Sequence, residues 1–332
     1  MDVKDVPFYV VCPAGVETGG PEALHMLAGE LRGMGLNAYI CYLPFTLKQG
    51  VPTNYQCYGA VAGVFEDAAE SVVIIPEVYP MLALRLKSRH RFLWWLSLSN
   101  YYSHKGDSAL RDGFRYLKSR VRARRPWRLE SLSSLGHLSQ SATVDDHLAL
   151  HGLHPLSLSD YLNPLFLEDV PQVKGRDRSD VVLYNAKKSG KAVALLRRFL
   201  PDIKFQGLVG LSPGELRELY GRSKMFVDFG PHPGRDRMPR EAVSQGCALI
   251  TGLRGTASNP RDVPIPTRYK LNERAPDFVQ QFESVSREVL RAYDDVFSRD
   301  FATLQAYTLG ERIVFRQQLS EFVRQVSCRF AN

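Results

Sequence analysis

The residue types that could do chemistry are concentrated in one stretch, residues 228–247, with the sequence DFGPHPGRDRMPREAVSQGC. Seven consecutive positions of this stretch hold Arg235, Asp236, Arg237, Arg240 and Glu241. Guanidinium groups bind phosphate oxygens through paired hydrogen bonds, and a carboxylate can accept hydrogen bonds from ribose hydroxyls. This composition favours a nucleotide site over the alternative, a salt-bridged helix start without a ligand.

A second candidate site is the basic segment YNAKKSGK, residues 184–191, which contains Lys187, Lys188 and Lys191. It follows an apolar run that predicts a strand, and ligands of open α/β sheets bind outside the carboxyl ends of the strands. Three ammonium groups at such a position could hold a diphosphate. The spacing differs from the GxxxxGK[ST] pattern of P-loop NTPases, and a solvated basic turn is the alternative interpretation.

The third candidate is the loop AGVETGGPE, residues 14–22, between the first predicted strand and the first predicted helix. Gly19 and Gly20 would let backbone amides approach a ligand, and the N-terminus of a helix favours anions. The spacing is not the GxGxxG of dinucleotide sites. With Pro21 at the helix start, an ordinary turn explains the loop equally well.

Short apolar runs that alternate with amphipathic helical patterns must position these candidates. Strands are predicted at Phe8–Cys12, Asn37–Leu43, Ser71–Pro76, Arg91–Ser97, Leu135–Ser139 and Pro155–Leu158, and then at residues 181–186, 204–209, 225–230 and 247–252. Continuous apolar runs are typical of strands that helices cover on both faces. The repeated β-α order predicts parallel sheets, and two long helical patterns follow from Asp277 onward.

The length of 332 residues suits two domains, and residues 163–180, rich in proline and charge, predict a linker between them. We therefore predict an α/β protein with two Rossmann-like domains that face an interdomain cleft. The N-terminal domain would span residues 1–165 and the C-terminal domain residues 180–310. A terminal helix, residues 311–332, could pack back on the N-terminal domain.

The segment PREAVSQGCALITG, residues 239–252, resembles the donor-binding region of retaining GT-B glycosyltransferases of the family-4-like group. The match covers the Glu-Ala pair, the glycine and the strand that follows. The resemblance implies a nucleotide-diphosphate sugar as donor, retention of anomeric configuration, and Glu241 as the ribose ligand. The first glutamate of the family's pair would fall on Pro233, so His232 or Asp236 could take over the sugar-facing role.

The same resemblance implies the roles of the other candidate residues. The lysines of residues 184–191 occupy the place of the family's diphosphate ligands, and the loop of residues 14–22 resembles its N-domain glycine loop. We assign catalytic roles to His232, Asp236 and Arg237, and donor binding to Gly19, Gly20, Lys187, Lys188, Lys191, Arg235, Arg240 and Glu241.

Acceptor residues are expected in the N-terminal half, at Glu77, Asn100 and Tyr101, which follow predicted strands. For Glu77, a buried salt bridge or a cap is the alternative interpretation. Residues 111–128, RDGFRYLKSRVRARRPWR, interleave basic and aromatic side chains. This segment could hold an anionic glycan or a lipid-linked acceptor at a membrane surface, or it could be a solvated helix face. The acceptor is therefore predicted to be a glycan or a lipid-linked glycan, in polysaccharide assembly.

The net charge of +8 indicates an anionic partner and leaves a nucleic-acid-binding protein as an alternative. That alternative does not explain two Rossmann-like halves, so we predict no nucleic acid partner. A sugar-nucleotide epimerase of the same two-domain architecture is a better alternative, with His232, Asp236 and Glu77 as its acid/base candidates.

No DxD triplet, HExxH motif or zinc-type cysteine spacing occurs, so we predict no metal and no cofactor. No apolar run approaches the roughly 18 residues of a membrane span, and the first residues lack the pattern of a signal peptide. We therefore expect a cytoplasmic protein, with peripheral contact at the inner membrane face as a further expectation.

Overall fold

The computed structural model describes residues 2–102, 128–168, 170 and 177–331. The basic aromatic segment of residues 111–128 thus lies outside the described residues, apart from its last position. The chain divides into two compact units. The first comprises Met1–Asp160 with Ile313–Asn332, and the second comprises Tyr161–Arg312.

The first unit contains a six-stranded parallel sheet in the order β2-β1-β3-β4-β5-β6. Its strands are β1 (Phe8–Pro13), β2 (Ala38–Leu43), β3 (Val72–Pro76), β4 (His90–Trp95), β5 (Gly136–Ser139) and β6 (Leu156–Ser157). Every strand predicted in this half is present, within two residues at each end. Trp94 and Trp95 of β4 are both fully buried, as expected for a strand that is covered on both faces.

The α-helices described between residues 2 and 160 are α1 (Gly19–Gly33), α2 (Pro80–Arg85), α3 (Leu98–Tyr102) and α4 (Ala142–Ala149). Leu24, Leu27 and Leu31 of α1 are buried, so the apolar residues that recur at helical spacing in this segment face the core. Ser141 caps α4, because its side chain accepts a hydrogen bond from the amide of Val144.

The second unit contains a four-stranded parallel sheet in the order β10-β9-β7-β8. Its strands are β7 (Ser179–Asn185), β8 (Lys204–Leu208), β9 (Ser223–Asp228) and β10 (Ala248–Thr251), and the helices between them are α5 (Ala186–Phe199), α6 (Pro213–Arg222) and α7 (Arg237–Ser244). A capping box of Ser212 and Glu215 starts α6, with Pro213 as its first residue.

Two sequence expectations for helices need correction. The sequence pattern predicts a helix over residues 192–200, but helix α5 begins at Ala186, so the three lysines lie in its first turns. The region after Asp277 forms four helices rather than two: α8 (Phe278–Arg291), α9 (Tyr293–Asp300), α10 (Ala302–Leu309) and α11 (Glu311–Ala331). The backbone leaves the helical region at Ala292 while the apolar period continues, so the sequence pattern conceals the break.

From Ile313 onward α11 belongs to the first unit. The ring of Phe322 packs edge-on against Phe92 of β4, and the side-chain oxygen of Gln318 accepts hydrogen bonds from Ser159. None of the helices in the described part of the chain is long and apolar enough to cross a membrane.

Candidate functional site

The candidate donor site lies at the carboxyl edge of the sheet in the second unit. Strands β7, β9 and β10 are parallel neighbours, and Asp228 at the end of β9 is in register with Thr251 at the end of β10. The segments that leave this edge are the start of α5, the loop of residues 229–236 and the loop of residues 252–258. Parallel pairing therefore brings the basic segment and the arginine-rich stretch together.

The carboxylate of Asp228 is the buried centre of this edge. Its oxygens accept hydrogen bonds from Ser189 Oγ at 3.2 Å, from the Gly230 amide at 2.9 Å and from Asn185 Nδ2 at 3.4 Å. Burial raises the pKa of Asp228, but the neighbouring His232 ring, Lys188 and the Gly230 amide outweigh it and lower the pKa. Asp228 is therefore an anion that the surrounding residues compensate.

The ring of His232 lies between two carboxylates and is 1% exposed. Nε2 is 3.7 Å from Asp228 Oδ2, and Nδ1 is 3.8 Å from Asp236 Oδ2. Both distances exceed a hydrogen bond, so the ring lies beside these carboxylates without a hydrogen bond to either of them. The structure thus brings the predicted catalytic residues His232 and Asp236 together, with Asp228 as a third member that the sequence analysis had not assigned.

Lys188 joins the two segments directly. Its Nζ lies 2.6 Å from Asp236 Oδ2 and donates a hydrogen bond to the Pro231 carbonyl at 3.1 Å. A Cβ on Gly230 would stand 2.3 Å from Lys188 Cβ, so the side chain can cross only a glycine at this point. Lys187 and Lys191, by contrast, are exposed to solvent on the same helix.

Asp228, His232 and Asp236 could each offer one ligand atom to a metal ion, because these atoms lie within 4.8 Å of one another. The Asp236 oxygen that faces His232 is the one that pairs with the Lys188 ammonium. A cation at this position would be repelled by that ammonium. The predicted absence of a metal stays a prediction, and the charge arrangement favours it.

Arg235 and Arg240 have a partner that the sequence analysis missed. Both guanidinium groups contact Glu311, at 2.6 Å from Arg235 and 2.7 Å from Arg240. The Arg235 and Glu311 side chains are 4% and 2% exposed. No local pattern could reveal this contact, because Glu311 lies more than 70 positions further along the chain. The donor-binding role of the two arginines stays a prediction.

Arg237 and Glu241 form the first turns of α7. Burial raises the pKa of Glu241, and the charges of Arg237 and Arg240 oppose this shift. Burial lowers the pKa of Arg237 to about 10, opposed by Glu241, so the guanidinium is charged at neutral pH. The two side chains therefore stabilise each other's charged forms. The predicted ribose contact of Glu241 is not tested by this geometry.

The loop of residues 252–258 is a further part of the site that the sequence analysis did not assign. Thr256 Oγ1 donates to the Gly234 carbonyl at 2.7 Å, and Arg254 Nη2 donates to the Phe229 carbonyl at 2.8 Å. Gly255 has a φ of +67°, and a Cβ there would stand 1.9 Å from the His232 carbonyl oxygen. Two glycines in GLRGTAS after a predicted strand were the signal available in the sequence.

The candidates of the first unit differ in exposure. Gly19 and Gly20 are the first two residues of α1, and Gly19 is exposed. Glu77 is 2% exposed and its Oε2 accepts the Leu96 amide at 3.1 Å. Tyr101 is fully buried, with its ring 4.8 Å from that of Trp95 in the core.

Of the three predicted acceptor residues, Asn100 alone is exposed, whereas Glu77 and Tyr101 have packing or hydrogen-bonding roles. A ligand role for the two buried residues would require their present neighbours to move. The acceptor roles stay predictions.

Comparison with known proteins finds neither a matching family model nor a matching curated sequence. Solved structures do match over nearly the whole chain. Alr3699/HepE from Anabaena, solved with UDP-glucose, is 12% identical with a TM-score of 0.58, over 96% of this chain and 99% of that one.

Two further glycosyltransferase-type structures match at 10% identity and a TM-score of 0.54. A glycosyltransferase from Rickettsia africae matches over 95% of this chain and 98% of its own. Sucrose-phosphate synthase from Thermosynechococcus elongatus matches over 98% and 97%. Such low identities carry information on the fold alone. By this likeness the chain has the GT-B fold of these glycosyltransferases, as the sequence predicted.

Proposed function

We propose that this protein transfers a sugar from a nucleoside-diphosphate sugar to a glycan or lipid-linked acceptor, with retention of configuration and without a metal. The observation that carries the proposal is the ion pair between Lys188 and Asp236, which joins two of the three predicted donor segments at one sheet edge. The GT-B fold supports the reaction class. The Anabaena structure contains UDP-glucose, which supports the donor class.

The proposed chemistry rests on charge that grows on the β-phosphate as the nucleotide leaves the sugar. Lys187 and Lys191 are exposed, and they are four residues apart on α5, so they lie on one side of the helix. The amides at the start of α5 add the positive end of the helix dipole. These groups can stabilise the leaving diphosphate, a role that metal-free transfer requires.

The sugar would lie beside Asp236 and Lys188, whose side chains are 18% and 27% exposed. His232 lies behind them with almost no exposure, so we assign it to orienting Asp236 rather than to direct attack. The family resemblance implies retention without a protein nucleophile. Polysaccharide or glycoconjugate synthesis is the process that such an acceptor implies.

A sugar-nucleotide epimerase is the second candidate, because His232 and Asp236 form a pair that could move protons. Incubation with UDP- and GDP-sugars in the absence of an acceptor separates the two. An epimerase converts the sugar, whereas a transferase gives at most slow hydrolysis.

The proposal is tested by thermal unfolding of the full chain with UDP, GDP, dTDP or CMP. A nucleotide that binds only the native state stabilises it by about 2.7 kcal/mol when its free concentration is 100 times the dissociation constant. We expect one diphosphate to raise the melting temperature, with and without EDTA. No shift with any of the four nucleotides would contradict a nucleotide-sugar donor.

A further inference from the structure

Glu311 is the first residue of α11 and lies close to the C-terminal end of the second unit. It contacts Arg235 in the loop of residues 229–236 and Arg240 in α7. Its Oε1 is 2.6 Å from Arg235 Nη2, and its Oε2 is 2.7 Å from Arg240 Nη1. One carboxylate thus pairs with both arginines, and each oxygen faces a different guanidinium. Paired contacts of this kind are short, strong and directional.

The contact extends from Glu311 into the backbone of the loop. Arg240 Nη2 donates to the Arg235 carbonyl at 3.0 Å, and Arg240 Nε donates to the Asp236 carbonyl at 3.3 Å. Asp236 is the residue that pairs with Lys188 and faces His232. Glu311 therefore orients Arg240, and Arg240 braces the two residues that precede α7.

The surroundings make this arrangement specific. The Glu311 side chain is 2% exposed, and the guanidinium of Arg235 lies over the ring of Tyr307. Glu311 also begins a helix of 21 residues, where the helix dipole favours a carboxylate. If Glu311 were neutral, two buried guanidinium groups would lose their shared counter-charge, and the loop would lose its brace.

We infer that Glu311 is a positioning residue of the donor site, which sets the conformation of the loop of residues 229–236 through Arg235 and Arg240. The link to nucleotide binding rests on the proposed function. The effect on the loop does not, because it can be measured without a ligand.

The test compares the full-length wild type with E311Q and with E321Q. Glu321 lies on the same helix and pairs with Arg324 at the surface, so E321Q removes a charge from α11 without touching the loop. Hydrogen exchange is measured at the amides of the loop, and UDP affinity by calorimetry, with GDP, dTDP or CMP substituted if one of them stabilises the wild type instead.

We expect E311Q to speed exchange in the loop and to weaken nucleotide binding by about tenfold or more, as loss of a charge-assisted contact implies. E321Q should leave both quantities as in the wild type. Unchanged loop exchange in folded E311Q would overturn the inference. Faster exchange with a wild type that binds no nucleotide would support the positioning role and refute the proposed donor.

If E311Q fails to fold, E311D serves in its place. It keeps the charge but withdraws the carboxylate by one methylene, so it cannot reach both guanidinium groups at their present distances. Faster exchange confined to the loop in E311D supports the inference, and wild-type exchange there overturns it.

Discussion

The ammonium of Lys188 and the carboxylate of Asp236 are 2.6 Å apart, although 48 positions separate them in the sequence. This ion pair connects the first turn of α5 with the residue that precedes α7. It is partly exposed, so both groups can also reach a ligand at the sheet edge. The pair is therefore the point at which two of the three predicted donor segments meet.

Replacement of Lys188 by alanine should weaken donor binding and lower turnover. The change removes a cation from the site and leaves Asp236 without its partner, and a charge-assisted contact corresponds to about a tenfold to hundredfold effect. Steady-state kinetics with the nucleotide sugar measures it. K204A is the matched control, because Lys204 is exposed at the opposite end of a strand of the same sheet. Equal loss in both variants would refute the assignment.

Lys191 and Arg237 should matter for the chemical step in different ways. K191A removes an exposed ammonium and should lower donor turnover by about 100-fold with the fold intact. R237A should also lower turnover, but it removes the positive charge that opposes the raised pKa of Glu241, so it should lower stability too. R198A, at the other end of α5, is the control for K191A. Near-normal turnover in K191A and R237A would contradict the proposed mechanism.

Gly255 should tolerate no side chain. Gly255 has a φ of +67°, and a Cβ there would lie 1.9 Å from the His232 carbonyl oxygen. We therefore expect G255A to lower the free energy of unfolding by at least about 2 kcal/mol. G214A is the control, because nothing lies within 4 Å of a Cβ there, and alanine should change stability by no more than about 1 kcal/mol. Chemical denaturation measures both. Similar stabilities of the two variants would show that Gly255, in the loop of residues 252–258, does not pack against the backbone of His232.

His137 should make the stability of the first unit depend on pH. Its Nδ1 accepts a hydrogen bond from Trp95 Nε1, and its Nε2 donates to the Leu132 carbonyl. Burial lowers the pKa of His137, opposed by the bond to Leu132, so the folded ring stays neutral where an unfolded histidine is protonated. Below about pH 6.5 the unfolded state binds more protons, and stability should fall by up to about 1.4 kcal/mol per pH unit.

This pH dependence is measured as the change in melting temperature between pH 7.5 and pH 5.5. H137Q should show a smaller decrease than the wild type. It should not abolish the decrease, because burial also lowers the pKa of His25, His90 and His147. An identical decrease in both proteins would refute the contribution of His137.

The basic aromatic segment should act on the acceptor alone. The variant in which Arg120, Arg122, Arg124 and Arg125 become serine should raise the apparent KM for an anionic acceptor and leave donor binding unchanged, because the arginines would hold its carboxylates or phosphates. These residues lie outside the described part of the chain. Normal use of the acceptor at physiological salt would favour the solvated helix face.

The amino-acid sequence by itself determined the alternation of strands and helices and therefore the two parallel α/β sheets. Apolar runs and helical periods are local properties, and every strand predicted in the second half is present as well. The basic segment of residues 184–191 and the arginine-rich stretch of residues 228–247 were recognisable because residue type and position after a strand are also local. The break between α8 and α9 at Ala292 could not be recognised from the sequence, because the apolar side chains on both sides of it pack into the same core.

Tertiary structure alone decided which of the charged residues meet. The strand order β10-β9-β7 brings Asp228, His232 and Asp236 beside Lys188, and α11 brings Glu311 to Arg235 and Arg240. It also made Tyr101 a core residue, although it follows a strand like the exposed candidates. These contacts depend on how segments that are distant in the sequence pack together. A local residue pattern does not determine the distance between side chains of such segments.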